Sequence, residues 1–148
     1  RLAEFAKDFE VNVIVENHGG YSSDAQWLSG VMEQVGMDNC GTLPDFGNFC
    51  IKRAGGDPWE GESLQEYDKY KGVREMMPYA KGVSAKSYNF DKDGNETTID
   101  FYRMLKIVKD AGFKGHIGIE YEGSELTEKE GIIATRELLT KVGNQLSQ

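Results

Sequence analysis

Residues 13–19 read Val-Ile-Val-Glu-Asn-His-Gly, a short apolar run that ends in a carboxylate, an amide and an imidazole. Three later stretches, at 43–48, 82–87 and 117–123, likewise change from small or apolar residues to polar ones. A helix-like segment follows each stretch, and strands that alternate with helices form a parallel sheet. The sequence therefore predicts an α/β fold of four βα units. The strands are expected near residues 11–16, 40–45, 81–87 and 115–121.

Capping patterns indicate where the helices of these units begin. Serine or threonine followed three residues later by glutamate or glutamine is typical of a helix start, and it occurs at Ser23, Ser63 and Thr127. Glycine and proline in the stretch 55–58 mark a loop. The expected helices cover about residues 24–36, 63–70, 73–77, 99–110 and 127–143.

Apolar side chains at helical spacing predict which helix faces are buried. An amphipathic helix is expected within residues 1–10, with four side chains on one face. Those four are Leu2, Phe5, Ala6 and Phe9. The buried stripes of two later helices are expected to consist of Trp27, Leu28, Val31, Met32 and Val35, and of Ile132, Ile133, Leu138 and Leu139.

Composition limits the class of protein. The 148 residues are enough for one domain, which is expected to span 1–148. A net charge of −8 argues against a nucleic-acid partner, which needs a basic surface. No apolar stretch approaches the roughly 20 residues that cross a bilayer, so no membrane partner is expected. The cysteines, Cys40 and Cys50, form no CxxC pair and are expected as buried thiols, which favours the cytoplasm.

Three carboxylates stand at the ends of predicted strands: Glu16, Asp45 and Glu120. The carboxyl ends of parallel strands meet at one edge of the sheet, which is where α/β enzymes carry out their chemistry. A divalent cation is a common reason for carboxylates to converge. The pattern therefore predicts a shared metal site, and separate helix-capping or salt-bridge roles are the alternative.

Two further polar residues lie two positions after a strand-end residue and so share its face. His18 follows Glu16, and it either enters the same cavity or bonds to nearby backbone. Lys86 follows Ser84, and it either binds a phosphate, carboxylate or enolate in the cavity or faces solvent.

The four strand-end stretches resemble the fifth to eighth strands of xylose isomerase-like barrels, the sugar phosphate isomerase/epimerase superfamily. The stretches that carry the resemblance are Val-Ile-Val-Glu-Asn-His-Gly, Leu-Pro-Asp-Phe-Gly-Asn, Gly-Val-Ser-Ala-Lys-Ser and Ile-Gly-Ile-Glu-Tyr-Glu-Gly. The resemblance implies that the chain is the carboxyl-terminal half, strands 5–8, of a (β/α)8 TIM barrel. Half a barrel leaves open sheet edges, so the isolated chain is expected to be unstable or to form a homo-oligomer.

The resemblance also implies a divalent metal ion, namely Mn²⁺, Mg²⁺, Co²⁺ or Zn²⁺. The ligands carried over by position are Glu16, Asp45, residue 84 and Glu120. Ser84 stands where the family often has a histidine, and serine is a weak ligand. Either water completes the site, or His18 or Lys86 takes over part of the role, or metal binding is weakened or lost.

The function that the resemblance implies is a metal-dependent isomerase or epimerase acting on a small carbohydrate, a sugar or sugar phosphate, through an enediolate. Glu16 and Glu120 would move the proton, while His18, Asn48 and Lys86 would contact substrate oxygens. A sugar-acid or inosose dehydratase and a degenerate carbohydrate-binding barrel are the alternatives. An endonuclease-IV-like activity is disfavoured because its three zinc ions need a histidine-rich site, and the chain has only 2 histidines.

Overall fold

The computed structural model describes residues 1–57 and 60–148, and it has an α/β fold of strands and flanking helices. The strands are β1 (Val13–Glu16), β2 (Cys40–Leu43), β3 (Cys50–Arg53), β4 (Ser63–Glu66), β5 (Val83–Ser87) and β6 (Ile117–Tyr121). The helices are α1 (Leu2–Lys7), α2 (Ala25–Val35), α3 (Lys69–Met76), α4 (Phe101–Asp110) and α5 (Glu128–Leu146).

The four predicted strands lie side by side and are all parallel. β1 pairs with β2, and β5 pairs with β6, where Lys86 stands opposite Glu120. Two isolated parallel bridges, Thr42 to Ala80 and Asp45 to Ser84, join the two pairs. The strand order is therefore β1, β2, β5, β6, and the described residues form no closed barrel.

Burial differs between the inner strand β5 and the outer strand β1 of this arrangement. Every residue of β5 is buried, as expected for a parallel strand with neighbours on both sides and helices against it. In β1, Ile14 and Val15 are exposed because that strand has only one neighbour among the described residues. Apolar side chains are thus covered at the centre of the sheet and exposed at its β1 edge.

The segment that begins at Ser63 is a strand, which makes the predicted helix start there wrong. β4 runs antiparallel to β3 and forms a hairpin with it. Gly61 turns the chain with a φ of 96°, a conformation that glycine adopts most readily. Helix α3 instead starts at Asp68, whose side chain accepts a hydrogen bond from the Lys71 amide. Pro58, part of the predicted loop, lies outside the described residues.

The other helix starts show one correction and one agreement. Asp24 caps α2 by accepting a hydrogen bond from the Trp27 amide. Ser23, the predicted cap, donates its hydroxyl to the Asn48 carbonyl at 2.7 Å instead. The capping box at Thr127 is present, and α5 continues three residues past the predicted end to Leu146.

The predicted buried stripes are only partly correct. Leu28 and Met32 of α2 are buried, whereas Trp27 and Val35 are 49% and 41% exposed. Helix α1 buries only its two small residues, Ala3 and Ala6. Large side chains that the pattern placed on apolar faces remain exposed, because the described residues offer nothing that covers them. These are Leu2, Phe5, Phe9 and Ile132.

Within the described residues, none of the helices combines the length and the apolar composition that crossing a membrane requires.

Candidate metal centre

Three carboxylates from three different strand ends converge in the fold. Glu16 ends β1, Asp45 follows β2, and Glu120 lies in β6. Each offers an oxygen atom, and these oxygens all lie within 4.8 Å of one another. Glu16 and Glu120 also line an open groove of about 460 Å³ together with Ser84. A small molecule in the groove would therefore reach two of the three carboxylates.

Asp45 is held in place by backbone contacts on both sides of it. Its backbone bridges to Ser84, whose amide donates to the Pro44 carbonyl at 2.9 Å. One carboxylate oxygen, Oδ1, accepts hydrogen bonds from the amides of Gly47 and Asn48, both at 2.9 Å. The tight turn after β2 thus fixes the orientation of the carboxylate.

Asn17 fixes the same turn from the β1 side. Its side chain accepts a hydrogen bond from the Asp45 amide at 2.7 Å and donates to the Asp45 carbonyl at 3.1 Å. It also donates to the Asn48 carbonyl at 3.0 Å. The residue is fully buried. One amide side chain therefore ties the end of β1 to the end of β2.

The second oxygen of Asp45 has no such support. Oδ2 is buried and accepts no hydrogen bond within the described part of the chain. Burial raises the pKa of Asp45 to about 6, although the Ser84 hydroxyl, the Gly47 amide and the Lys86 charge act in the opposite direction. A buried carboxylate oxygen without a partner costs free energy, so a cation at this position would stabilise the ionised form.

Lys86 is the cation that the chain itself supplies. Its side chain is 1% exposed, and its ammonium group lies 3.2 Å from Glu120 Oε1 and 3.0 Å from Glu122 Oε2. It also donates to Asn48 Oδ1 at 3.2 Å. Burial lowers the pKa of Lys86, but the charge of Asp45 and the bonds to Glu122 and Glu120 outweigh it, so the pKa is raised. The solvent-facing alternative for Lys86 is therefore wrong.

Ser84 lies between two of the carboxylates. Its hydroxyl donates to Glu120 Oε2 at 3.2 Å, and its backbone pairs with Asp45. In this position the hydroxyl orients Glu120. The weak ligand at position 84 thus has a hydrogen-bonding role that does not depend on metal.

His18 lies beside the carboxylate cluster and not within it. Its backbone amide donates to Ser22 Oγ at 2.8 Å. Its side chain lines a separate polar cavity of about 480 Å³, which we call the hairpin pocket because the β3–β4 hairpin forms one wall. The polar lining of the pocket consists of the cations Arg53 and Lys69, the carboxylates Glu66 and Glu122, and the side chains of His18, Asn48, Tyr67 and Tyr88.

The sequence-based prediction missed several residues of this region, among them Asn17, Glu122, Tyr88, Arg53 and Lys69. Glu122 carried a usable signal, because it lies two positions after Glu120 just as Lys86 lies two after Ser84. Burial raises the pKa of Tyr88 to about 12, so its hydroxyl stays protonated as a donor. Asn17 carried no signal, because its partners are backbone atoms of a distant turn.

The charges of the cluster define what it can bind. The carboxylates of Glu16, Asp45 and Glu120 converge, and the ammonium group of Lys86 pairs with Glu120 and with a fourth carboxylate, Glu122. The excess negative charge and the unpartnered oxygen of Asp45 favour a divalent cation with oxygen ligands. The residues present therefore fit a metal ion held by Glu16, Asp45 and Glu120.

Comparison with known families agrees with the fold and with the resemblance of the four strand-end stretches. The family model of the xylose isomerase-like TIM barrels matches residues 1–142, nearly the whole chain. A search of curated proteins finds no match. The protein belongs to the xylose isomerase-like TIM barrel family.

Proposed function

We propose that the protein is a divalent-metal-dependent isomerase or epimerase of sugars or sugar phosphates, acting by proton transfer through an enediolate. The observation that carries the proposal is the convergence of Glu16, Asp45 and Glu120 within 4.8 Å. The buried, unpartnered Oδ2 of Asp45 supports it, because a cation would satisfy that atom. We propose a small carbohydrate as the substrate. We propose neither a nucleic acid nor a membrane as a partner.

The proposed metal is Mn²⁺, Mg²⁺, Co²⁺ or Zn²⁺, with Glu16, Asp45 and Glu120 as its protein ligands. An all-carboxylate donor set favours Mg²⁺ or Mn²⁺ over the softer ions. When bound, such an ion polarises the carbonyl group of a sugar next to a hydroxyl-bearing carbon. Ser84 contributes orientation of Glu120 and is not proposed as a ligand of comparable strength.

The proton transfer is proposed for Glu16 and Glu120. Both line the open groove, Glu16 from β1 and Glu120 from β6, so both can reach a sugar bound there. A carboxylate that removes a proton from one face and a carboxylic acid that returns it on the other invert or shift a stereocentre. We propose that Lys86, held by Glu120, Glu122 and Asn48, acts as a buried positive charge that offsets negative charge developing on a substrate oxygen.

Calorimetric titration with Mn²⁺ tests the metal centre directly. We expect the wild-type protein to bind Mn²⁺, and Asp45→Asn to weaken binding at least about 100-fold, because loss of a ligand exceeds the 10–100-fold typical of residues behind the ligands. The asparagine keeps an acceptor for the Gly47 and Asn48 amides, so the turn is retained. Asp38→Asn, an exposed position, is the matched control.

Two outcomes of this titration would overturn the metal centre. One is equal Mn²⁺ affinity in the wild type and in Asp45→Asn. The other is a folded wild-type protein that binds no Mn²⁺, and in that case a non-catalytic carbohydrate-binding role becomes the better proposal.

We also propose that β1, β2, β5 and β6 are half of an eight-stranded barrel. The support is the parallel order of these strands and the open edge at β1, where Ile14 and Val15 are exposed. An unpaired edge with apolar side chains favours pairing with another chain.

For the 148-residue chain alone we expect association into dimers or larger homo-oligomers. Size-exclusion chromatography with light scattering measures this, and the urea midpoint should rise with protein concentration because assembly stabilises the folded state. A monodisperse monomer with a concentration-independent, cooperative unfolding transition would contradict the half-barrel proposal.

A further inference from the structure

The hairpin pocket is connected to the carboxylate cluster through Lys86. Asn48 and Glu122 both line the pocket, and both contact the Lys86 ammonium group, at 3.2 Å and 3.0 Å. That same ammonium group contacts Glu120 of the cluster at 3.2 Å. His18, Asn48 and Glu122 of the pocket follow the three cluster carboxylates by two or three positions, so the pocket and the cluster lie at the same edge of the sheet.

Two basic side chains of the hairpin pocket have no ion-pair partner among residues 1–57 and 60–148. Arg53 donates to the Gly61 carbonyl at 3.0 Å, and its buried Nε has no hydrogen-bond acceptor in the described part of the chain. Lys69 donates to the Thr98 carbonyl at 3.3 Å. Within the described residues, the hydrogen bonds of both cations go to neutral carbonyl groups, so neither charge is paired with a carboxylate there.

The pocket also holds neutral donors. Asn48 Nδ2 is buried and has no acceptor in the described structure, because its Oδ1 is directed at Lys86. Tyr88 keeps its phenolic proton, since burial raises its pKa to about 12. The two acidic residues at the pocket are Glu122, which forms an ion pair with Lys86 at 3.0 Å, and Glu66, which is exposed to solvent. The unsatisfied groups are therefore mainly donors and cations.

Resting on the proposed function, we infer that the hairpin pocket binds an anionic group of the substrate, with Arg53 and Lys69 as its main contacts. The substrate is then a sugar phosphate or a sugar acid and not a neutral sugar. An arginine fork matches the paired oxygens of a phosphate or carboxylate. Arg53 lies at the end of β3. In this proposal the β3–β4 hairpin selects the substrate, and the residues at the ends of the parallel strands transfer the proton.

Calorimetric binding of three probes tests this inference: D-ribulose 5-phosphate, D-ribulose and D-gluconate. The wild-type protein is expected to bind D-ribulose 5-phosphate or D-gluconate at least tenfold more tightly than D-ribulose. Preference between the phosphate and the carboxylate probe identifies which anion the pocket takes. Equal affinity for all three probes would overturn the inference.

Substitutions in the hairpin pocket test whether its side chains cause the preference for an anionic probe. We expect Arg53→Gln and Lys69→Gln each to reduce affinity for the anionic probe about tenfold and to leave affinity for D-ribulose unchanged. Arg74→Gln, exposed on α3, is the charge-matched control. Lys69→Gln tests the pocket even where Arg53→Gln disturbs the hairpin. An unchanged preference for the anionic probe in both variants would overturn the inference.

Titration of Mn²⁺ into Arg53→Gln separates this inference from the proposed metal centre. Retained Mn²⁺ affinity together with lost anion preference supports both. A wild-type protein that binds no Mn²⁺ but still prefers the anionic probe through Arg53 would refute the isomerase proposal and keep the anion pocket. Normal Mn²⁺ binding without any anion preference would refute only the pocket.

Discussion

Glu120→Gln is expected to lower the rate of proton exchange on an accepted sugar by at least about 10³-fold, the upper part of the range for loss of a general acid or base. Glutamine keeps the size of the side chain and one acceptor oxygen, so the bond from Ser84 can persist. It loses the charge that pairs with Lys86 at 3.2 Å and the proton-accepting oxygen. The loss should therefore appear in catalysis far more than in folding.

The measurement that suits this prediction is deuterium incorporation from heavy water, followed by NMR at the carbon next to the sugar carbonyl. Exchange at that carbon reports enediolate formation whether or not the sugar completes its isomerisation. Glu16→Gln should show a comparable loss, because the second carboxylate is needed to return the proton. Glu125→Gln, at an exposed position after β6, should exchange at the wild-type rate. Full activity in both Glu16→Gln and Glu120→Gln would refute the mechanism.

The parallel strands were predictable because their signal is local. An apolar run followed by a polar residue at a strand end is visible within about seven residues, and the structure places β1, β2, β5 and β6 within the predicted ranges. The two-residue period of a strand correctly put Ser84 and Lys86 on one face. These rules need no knowledge of distant partners.

The β3–β4 hairpin was missed because its decisive interactions are not local. Ser63 and Glu66 satisfy the pattern of a helix start, yet they pair with Arg53 and Cys50 across the hairpin. Gly61 was the available hint, since a Cβ there would lie 2.5 Å from the Ala54 carbonyl oxygen. A local capping signal of about 1 kcal/mol is outweighed by the hydrogen bonds of a strand pair.

The same distinction applies within the candidate site. The three carboxylates stand at strand ends, so topology alone brings them to one edge of the sheet. The burial of Lys86 depends on Asn48 and Glu122, which reach it from two different loops. Whether a lysine near the end of a strand faces solvent or the interior is decided by those partners. The sequence therefore located the site but left the surroundings of its lysine open.

Asn17→Ala is expected to reduce the free energy of unfolding by about 3 kcal/mol, because it removes three hydrogen bonds and leaves buried backbone groups unsatisfied. The Asp45 amide loses its acceptor and the Asp45 carbonyl its donor, whereas the Asn48 carbonyl keeps only its bond from Ser23. Alanine cannot replace these contacts, and the fully buried position admits little water. Urea unfolding measures the change, with Asn144→Ala on the exposed face of α5 as the matched control.

Asn17→Ala should also weaken Mn²⁺ binding about 10–100-fold, the range for a residue that orients a ligand without touching the metal. Asp45 would keep its bonds from the Gly47 and Asn48 amides but lose the hydrogen bonds to the Asn17 side chain that join its turn to β1. Titration in the absence of urea, at a temperature well below the thermal unfolding midpoint of the variant, separates this effect from unfolding. A variant that is destabilised but binds Mn²⁺ as tightly as the wild type would show that Asn17 supports the fold alone. An unchanged free energy of unfolding together with an unchanged Mn²⁺ affinity would refute both proposed roles of Asn17.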